Sequence, residues 1–421
     1  MSNDKVVRLM DDAARSPEWR SLLQVNDRGT PRPNLFNALV ALRHCPSLQG
    51  RVRLNSFRLE TDVVAPLPWN NETGREWTRS DDLHFTEWLQ AAGINVKVGE
   101  AADAVEAIAA ENQFHPVRDW LDGLEWDGVK RVGTWLTYYL GVERSVYSEA
   151  VGQRWLLSAV ARIIRPGCKA DHCLVLEGDQ GRGKSSALRA LVGDEWFTDE
   201  IGDLGGKDAA MQTRGIWLIE LGELEHLSRQ EVGRVKAFLS RATDRFRPPY
   251  GRRLIVAPRE CVFAGTVNDR QYLKDETGNR RFWPVRVGPS IDLAAIRAER
   301  AQLWAEAVQL YRGGASWWLN SRELVGLAQD EQEARCSVDP WVEKVTEFVA
   351  DKGEVTVAQV LTQGVSKRLA ECTRADEMRV AKIMQALFWE RRRSTRGGRS
   401  YSYQRTADAG PPDAPKDGVP T

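Results

Sequence analysis

The octapeptide Gly178-Asp179-Gln180-Gly181-Arg182-Gly183-Lys184-Ser185 fits the pattern G-x-x-x-x-G-K-[ST] at every fixed position, and its flanks decide what that pattern demands. Cys173-Leu174-Val175-Leu176-Glu177 reads as a short buried strand, and Ser186 to Leu191 reads as a helix closing near Gly193. Strand, glycine loop and helix in that order require an α/β layer with the loop at the strand's carboxyl end. There the backbone N–H groups and the helix N-terminus face phosphate oxygens, Lys184 reaches the β and γ phosphates, and Ser185 holds Mg²⁺. Gly178 through Ser186 therefore form the expected cradle for a nucleoside triphosphate.

A P-loop does not distinguish a kinase from a motor, so the residues downstream of it carry the distinction. Ile216-Trp217-Leu218-Ile219 ends in Glu220, 36 positions after Lys184, with Glu223 three further on. An apolar strand ending in a carboxylate beside the P-loop can hold Mg²⁺ or its water, which is Walker B chemistry, and Glu223 can polarise the attacking water. The spacing does not decide which acid takes which role, and two surface acids after a core strand are the alternative. A third apolar run, Cys261 to Thr266, delivers Asn268, an amide able to orient water and sense the γ phosphate. Arg280 and Arg281 then precede the strand-like Phe282-Trp283-Pro284-Val285; one of them is a candidate arginine finger, supplied across a subunit interface, with an ordinary ion pair as the alternative.

Between the acids and Asn268, a capping box at Ser228-Arg229-Gln230-Glu231 opens a helix. Next comes a strand-turn-strand pattern around Pro248-Pro249-Tyr250-Gly251. Its arginines, Arg245, Arg247, Arg252 and Arg253, can grip a phosphate backbone while Tyr250 or Phe246 stacks a base. A solvated hairpin with its aromatics packed on the domain is the alternative. Lys plus Arg and Asp plus Glu number 59 each, so any nucleic-acid surface must be local rather than global.

With 421 residues, 42% of them hydrophobic, the chain is expected to form two or three domains. The six cysteines show no paired spacing, and no signal peptide or apolar run of membrane-spanning length appears, so the cytoplasm is the expected compartment. Cys168, His172 and Cys173 lack a second ligand pair, and read as a buried thiol strand rather than a metal site. His115, before a proline, reads as a turn or core residue. The first third shows helical stretches at Pro33 to Leu42 and Ala101 to Glu111 around a tryptophan-rich middle, and Glu149 to Ile164 reads as a long helix.

Toward the C-terminus, Pro340 to Val349, the strand-like Gly353 to Val357, a helix near Ala358 to Leu361, another from Asp376 to Trp389 and a Gly397-Gly398 turn suggest a winged helix. Met378 to Trp389 would be its recognition helix. Arg391, Arg392, Arg393, Arg396 and Arg399, accompanied by Tyr401 and Tyr403, would form a phosphate-binding edge; a protein-binding module with a solvated wing is the alternative.

The motif order and the segments Phe114-His115-Pro116, Trp126-Asp127-Gly128, Arg165-Pro166-Gly167-Cys168-Lys169, Gly178 to Ser185, Arg247 to Gly251 and Thr277 to Pro284 resemble the virulence-associated protein E family of phage and mobile-element P-loop ATPases. Their order is similar to superfamily 3 helicases of the AAA+ class. The resemblance implies Lys184 and Ser185 as Walker A ligands, Glu220 and Glu223 as Walker B acids, Asn268 as sensor, Arg280 or Arg281 as finger and Arg247 to Arg253 as the DNA-facing hairpin. The Walker B acids of superfamily 3 are usually adjacent, and here two residues separate them. No paired acidic metal site accompanies the N-terminal third, so priming activity is not expected, although a separate primase can be a partner.

The expected fold is α/β: a P-loop AAA+-like ATPase core with a helical N-terminal region and a C-terminal winged-helix module. The expected divisions are 1–110 without assigned function, 111–310 the ATPase with a helical lead-in, 311–338 a helical connector, 339–405 the winged-helix-like module and 406–421 a disordered tail. The function read from this is a Mg²⁺-dependent ATPase acting on single-stranded DNA as a homo-oligomeric ring: a replicative helicase or origin-melting factor, with no membrane association. A nucleotide switch that assembles partners without unwinding DNA is the second reading. A small-molecule kinase fits the P-loop but neither the Asn268 and arginine-pair layout nor the basic hairpin.

Overall fold

The computed structural model describes residues 17–202, 209–247, 254–269, 271–273, 278–336, 339–393 and 401–405. The chain divides into two compact units, Met1–Cys336 and Ser337–Thr421.

The N-terminal part is mixed rather than helical. Helices form at Leu35–His44, Arg79–Ala91 and Val98–Glu111, the last burying Ala101, Ala104, Val105 and Ile108 along one stripe. These helices accompany a four-stranded sheet of β1 (Val52–Asn55), β2 (Glu60–Val63), β3 (Arg75–Glu76) and β4 (Gln113–Phe114), in the order β3-β2-β1-β4. The tryptophan-rich middle is polar at its edges. Asp81 accepts from Trp69 Nε1 at 3.0 Å and from both Arg75 terminal nitrogens at 2.7 and 2.8 Å, tying the β3 segment to the Arg79–Ala91 helix.

The centre of the first unit is a parallel sheet of β5 (Cys173–Glu177), β6 (Phe197–Thr198), β7 (Leu218–Leu221), β10 (Val262–Val267) and β11 (Phe282–Arg286), ordered β11-β5-β10-β7-β6. The antiparallel pair β8 (Thr243–Phe246) and β9 (Ile255–Pro258) interrupts it in sequence but forms its own hairpin. Along β5 and β7, successive side chains enter opposite cores. Leu174, Leu176 and Leu218 join one cluster, while Cys173, Val175, Ile219 and Leu221 join another. Burial on both faces explains why these strands read as continuous apolar runs rather than alternating ones.

The Val146–Ile164 helix begins one turn earlier than its apolar spacing suggests, because Ser145 Oγ caps it by accepting from Ser148 N at 3.0 Å. It packs with Lys184–Val192 and the long helix Leu293–Arg312 on one face of the sheet, and Arg229–Leu239 covers the other. The helix Arg322–Glu333 lies within the stretch expected as a connector. It docks on the sheet edge instead, where Gln332 Nε2 donates to Phe282 O at 2.8 Å.

In the second unit, Trp341–Val349 and Arg374–Ala386 pack against an antiparallel sheet of β12 (Glu354–Thr356), β13 (Trp389–Arg393) and β14 (Tyr401–Arg405), ordered β12-β14-β13. The helix expected to run to Trp389 ends at Ala386. Phe388 adopts φ +61°, which turns the chain, and Trp389 enters β13 opposite Arg405. The Gly397-Gly398 turn and the 406–421 tail lie outside the described residues.

Candidate active site

The P-loop leaves the carboxyl end of β5 and opens the Lys184–Val192 helix through Gly183 at φ +83°, a left-handed conformation that favours glycine. Arg182 stitches the loop's outer side, donating to Pro289 O at 2.6 Å and pairing with Asp179 at 2.5 Å. Lys184 is buried, and its Nζ donates to Gly178 O at 2.5 Å, Asp179 O at 3.0 Å and Asn268 Oδ1 at 3.1 Å. Burial lowers its pKa, partly offset by Glu225, Asp179 and Glu220. Gln180, Gly181 and Ser186 are exposed along the loop and first helical turn.

Glu220 and Ser185 meet directly. Ser185 Oγ donates to Glu220 Oε1 at 2.7 Å and Thr266 Oγ1 donates to the same oxygen at 2.6 Å. Glu220 Oε2 is buried with no hydrogen-bond partner among the described residues. A buried anionic oxygen beside a serine hydroxyl suits a hard divalent cation that keeps waters and phosphate oxygens as its other ligands. Such an ion does not require three protein ligands, and no group of three or more His, Cys, Asp or Glu able to hold a metal occurs among the described residues, Cys168, His172 and Cys173 included.

Because β10 lies between β5 and β7, Asn268 emerges between the P-loop and the acidic strand. Its backbone N–H and Nδ2 both donate to Glu225 Oε1 at 3.0 Å, so Lys184, Asn268 and Glu225 form one chain of contacts. Glu223 is exposed and adopts φ +53°, an uncommon conformation for a non-glycine residue. It lines a cavity of about 710 Å³ together with Ser185, Glu220 and Asn268. Behind the loop, Glu177 is braced by Arg335 at 2.5 and 2.9 Å and by Tyr272 Oη at 3.0 Å.

Sequence reasoning missed Thr266, Glu225 and the Glu177–Arg335 brace. Thr266 carried a signal, the hydroxyl at the end of an apolar strand. Glu225 and Arg335 carried none, because tertiary packing alone brings them in.

The arginine pair stands at the opposite end of the sheet. Phe282 pairs with Cys173, the first residue of β5, whereas the P-loop follows the last, so five residues of parallel strand, roughly 16 Å, separate them. Arg280 pairs with Asp171 at 3.1 Å and its side chain is 60% exposed; Arg281 donates to Ser240 Oγ at 2.8 Å and is 20% exposed.

In the hairpin, Arg245 and Arg247 are exposed, while Tyr250, Arg252 and Arg253 lie outside the described residues. Phe246 is not available to a base, since it is buried against Ala210 and Ala257 beneath Arg214. The hairpin root is a buried pair, Arg259 with Asp244, both contacts at 2.8 Å. In the second unit, Arg391, Arg392 and Arg393 are exposed on β13, with Arg391 over the Tyr401 ring at 3.9 Å; Arg396 and Arg399 lie outside the described residues. Tyr403 is 4% exposed within that unit's core and cannot share the edge assigned to it. His115 caps the Pro116–Asp122 helix through Nδ1, and its Nε2 pairs with Glu260 at 3.1 Å.

A family model of the virulence-associated protein E-like domain matches residues 121–337. The chain belongs to that family. The virulence-associated E-like match begins after the Phe114-His115-Pro116 segment of the sequence resemblance and runs past Trp283, taking in the docked Arg322–Glu333 helix and Arg335. No protein of curated function matches the chain. Among solved structures, two apo forms of the C-terminal region of NrS-1, residues 305–718, align over 68% of this chain and 77% of theirs, at 13% identity and a TM-score of 0.41. A further apo form of that region covers 78% of its own length at the same identity and score. No helix among the described residues is long and apolar enough to cross a membrane.

Proposed function

We propose that this virulence-associated E-like chain is a Mg²⁺-dependent ATPase that acts on DNA, with a superfamily 3-like AAA+ core and a winged-helix second unit. The observation that carries the reading is the convergence of Ser185 and Thr266 on the Glu220 carboxylate beside Lys184 and Asn268. Ser185 and Glu220 would hold Mg²⁺, which would neutralise charge developing on the phosphates. Lys184 binds the β and γ phosphates, and Asn268 orients the attacking water. The geometry favours Glu220 for the metal and Glu223, exposed in the same cavity, for polarising that water.

Arg280 and Arg281 are too far from their own P-loop, so a finger role requires a neighbouring copy and supports a ring or dimer. Arg280, the more exposed of the two, is the better candidate. The exposed Arg245 and Arg247, with Arg391 to Arg393 on the second unit, are the proposed backbone contacts to single-stranded DNA. By family resemblance the setting is replication of a phage or integrated element, as a helicase or origin-melting factor.

ATP turnover measured with and without single-stranded DNA, alongside strand release from a forked duplex, tests this. Lys184→Ala should lower turnover by at least about 100-fold with the fold intact. Retained turnover would reject the site, and turnover indifferent to DNA without strand release would leave a nucleotide switch.

A further inference from the structure

At the β11 edge of the sheet, by the strand ends farthest from the P-loop, a cavity of about 490 Å³ opens between β11 and the segment after the Leu293–Arg312 helix. Trp283 lies flat on His172, with ring centroids 3.8 Å apart and planes at 10°. Trp317 and Trp318 form a second aromatic wall, their rings perpendicular at 5.0 Å. This wall is held in place: Trp317 Nε1 donates to Lys169 O at 2.9 Å, and Arg154 Nε donates to Trp318 O at 3.0 Å. Trp318 is nevertheless 50% exposed, an unusual state for a large aromatic ring.

Two polar atoms in these walls are buried and have no hydrogen-bond partner among the described residues, His172 Nε2 and Trp283 Nε1. The residues that carry them are 6% and 3% exposed. The indole N–H can only donate. Burial pushes the His172 pKa down to about 3, so the imidazole is neutral near pH 7 and offers one donor and one acceptor. Lys169 and Arg280 stand exposed at the same cavity, and Asp171, which also lines it, pairs with Arg280 at 3.1 Å.

We propose that this cavity binds a nucleotide, its base against Trp318 and its phosphate at Lys169, separately from the P-loop. The half-exposed Trp318 ring suits base stacking, and the two unpaired nitrogens suit the polar edge of a base. An aliphatic segment of a partner protein would leave both nitrogens as unpaired as they already are, whereas the edge of a base offers them partners. The volume falls within the range of small-ligand sites, roughly 300–1,000 Å³. A free nucleotide and a nucleotide within a single strand present the same chemistry. The inference goes beyond ATP hydrolysis and does not depend on it.

The test uses the full chain carrying Lys184→Ala, to suppress P-loop binding, in calorimetric titrations with dAMP and, separately, with a twelve-residue deoxyadenosine oligonucleotide. At least one probe should bind, and Trp318→Ala should weaken it by about 5- to 30-fold. His172→Phe, which keeps the stack but removes the imidazole nitrogens and leaves Trp283 Nε1, should weaken it by a smaller factor. Binding of dAMP that competes with the oligonucleotide assigns a free nucleotide; an effect confined to the oligonucleotide assigns a single strand. In the otherwise wild-type chain, Trp318→Ala should leave DNA-free ATP turnover unchanged, and a thermal melt checks its fold. Absence of binding by both probes, or affinities unchanged by both substitutions, overturns the proposal. So does loss of self-association in Trp318→Ala, seen by sedimentation, with unchanged affinity; that result would assign the face to a second copy of the chain.

Discussion

Glu220→Gln separates a metal-holding carboxylate from a merely structural one. The substitution keeps the shape and the Oε1 acceptor for Ser185 and Thr266, and replaces the unpartnered Oε2 with an amide nitrogen. Without ligand, two charge-assisted hydrogen bonds become neutral ones, a loss of about 1 kcal/mol each. Against this, the protein no longer desolvates a carboxylate, a relief of several kcal/mol. The unliganded variant should therefore be as stable as the parent or more stable by about 1–3 kcal/mol. With Mg²⁺ and a non-hydrolysable ATP analogue at about 100 times Kd, the parent should gain about 2.7 kcal/mol, a melting rise on the order of 5 °C. The variant should lose most of the part of that rise that EDTA abolishes, and turnover should fall about 10²- to 10³-fold. Thermal melts with Mg²⁺ or EDTA, run beside a turnover assay, measure both. A variant less stable than the parent without ligand, yet with Mg²⁺-dependent stabilisation and turnover intact, would refute the reasoning.

Mixing Lys184→Ala subunits with Arg280→Ala or Arg281→Ala subunits should restore part of the turnover that each lacks alone, because the arginines and the P-loop lie at opposite ends of the sheet; no restoration in either mixture would exclude a finger acting in trans. Arg259→Met strands the buried Asp244 at the hairpin root and should cost about 3–5 kcal/mol, read as a lower urea midpoint. In the second unit, Lys367, with hydrogen bonds from Thr373, holds the Asp376 pKa down to about 2. Its folded pKa lies below the unfolded value of about 3.9, so its contribution is complete above pH 4 and is lost as pH falls from about 4 to 2. Hydrogen exchange in the Arg374–Ala386 helix should rise over that window, and Asp376→Asn should remove the dependence.

The parts of this fold that could be read in advance are those whose environment is uniform along the segment. β5 and β10 are buried at every residue, so an unbroken apolar run is their signature, and the P-loop between strand and helix admits one geometry. The N-terminal strands have no such signature. Each is two to four residues long, and β1 finds its parallel partner only at Gln113 and Phe114, after two intervening helices. Phe246 and Tyr403 illustrate a second failure. An aromatic among arginines looks like a stacking platform in one dimension, yet alternation along β8 turns Phe246 into the core while Arg245 stays outside, and Tyr403 is drawn into its unit's core although Tyr401, two residues before it, stays exposed. The trio of Glu220, Glu223 and Glu225 marks a third limit. Three acids within six positions look interchangeable, and their places in β7 and in the turns after it give one a serine and threonine, one open cavity and one the Asn268 amide.

The placement of the two ends of β10 restricts how the proposed nucleotide chemistry could be coupled to the basic hairpin. Its first residue comes shortly after Arg259 and Glu260, the hairpin root, and its last residues are Thr266, bonded to Glu220, and Val267, which precedes Asn268. All six residues are buried, and Trp155 Nε1 fixes the strand by donating to Phe263 O at 2.8 Å. A strand packed this closely between β5 and β7 does not stretch. A shift at Asn268 and Thr266 must therefore travel as a rigid displacement to the root, where the Arg259–Asp244 pair fixes the hairpin's orientation, or be absorbed by breaking that pair. Breaking a buried ion pair is the costlier course, so movement of the whole hairpin is the favoured response. The arginine pair is linked to that root through one short segment, since Arg281 donates to Ser240 Oγ and Arg259 to Phe238 O, at the edge a neighbouring P-loop would have to approach.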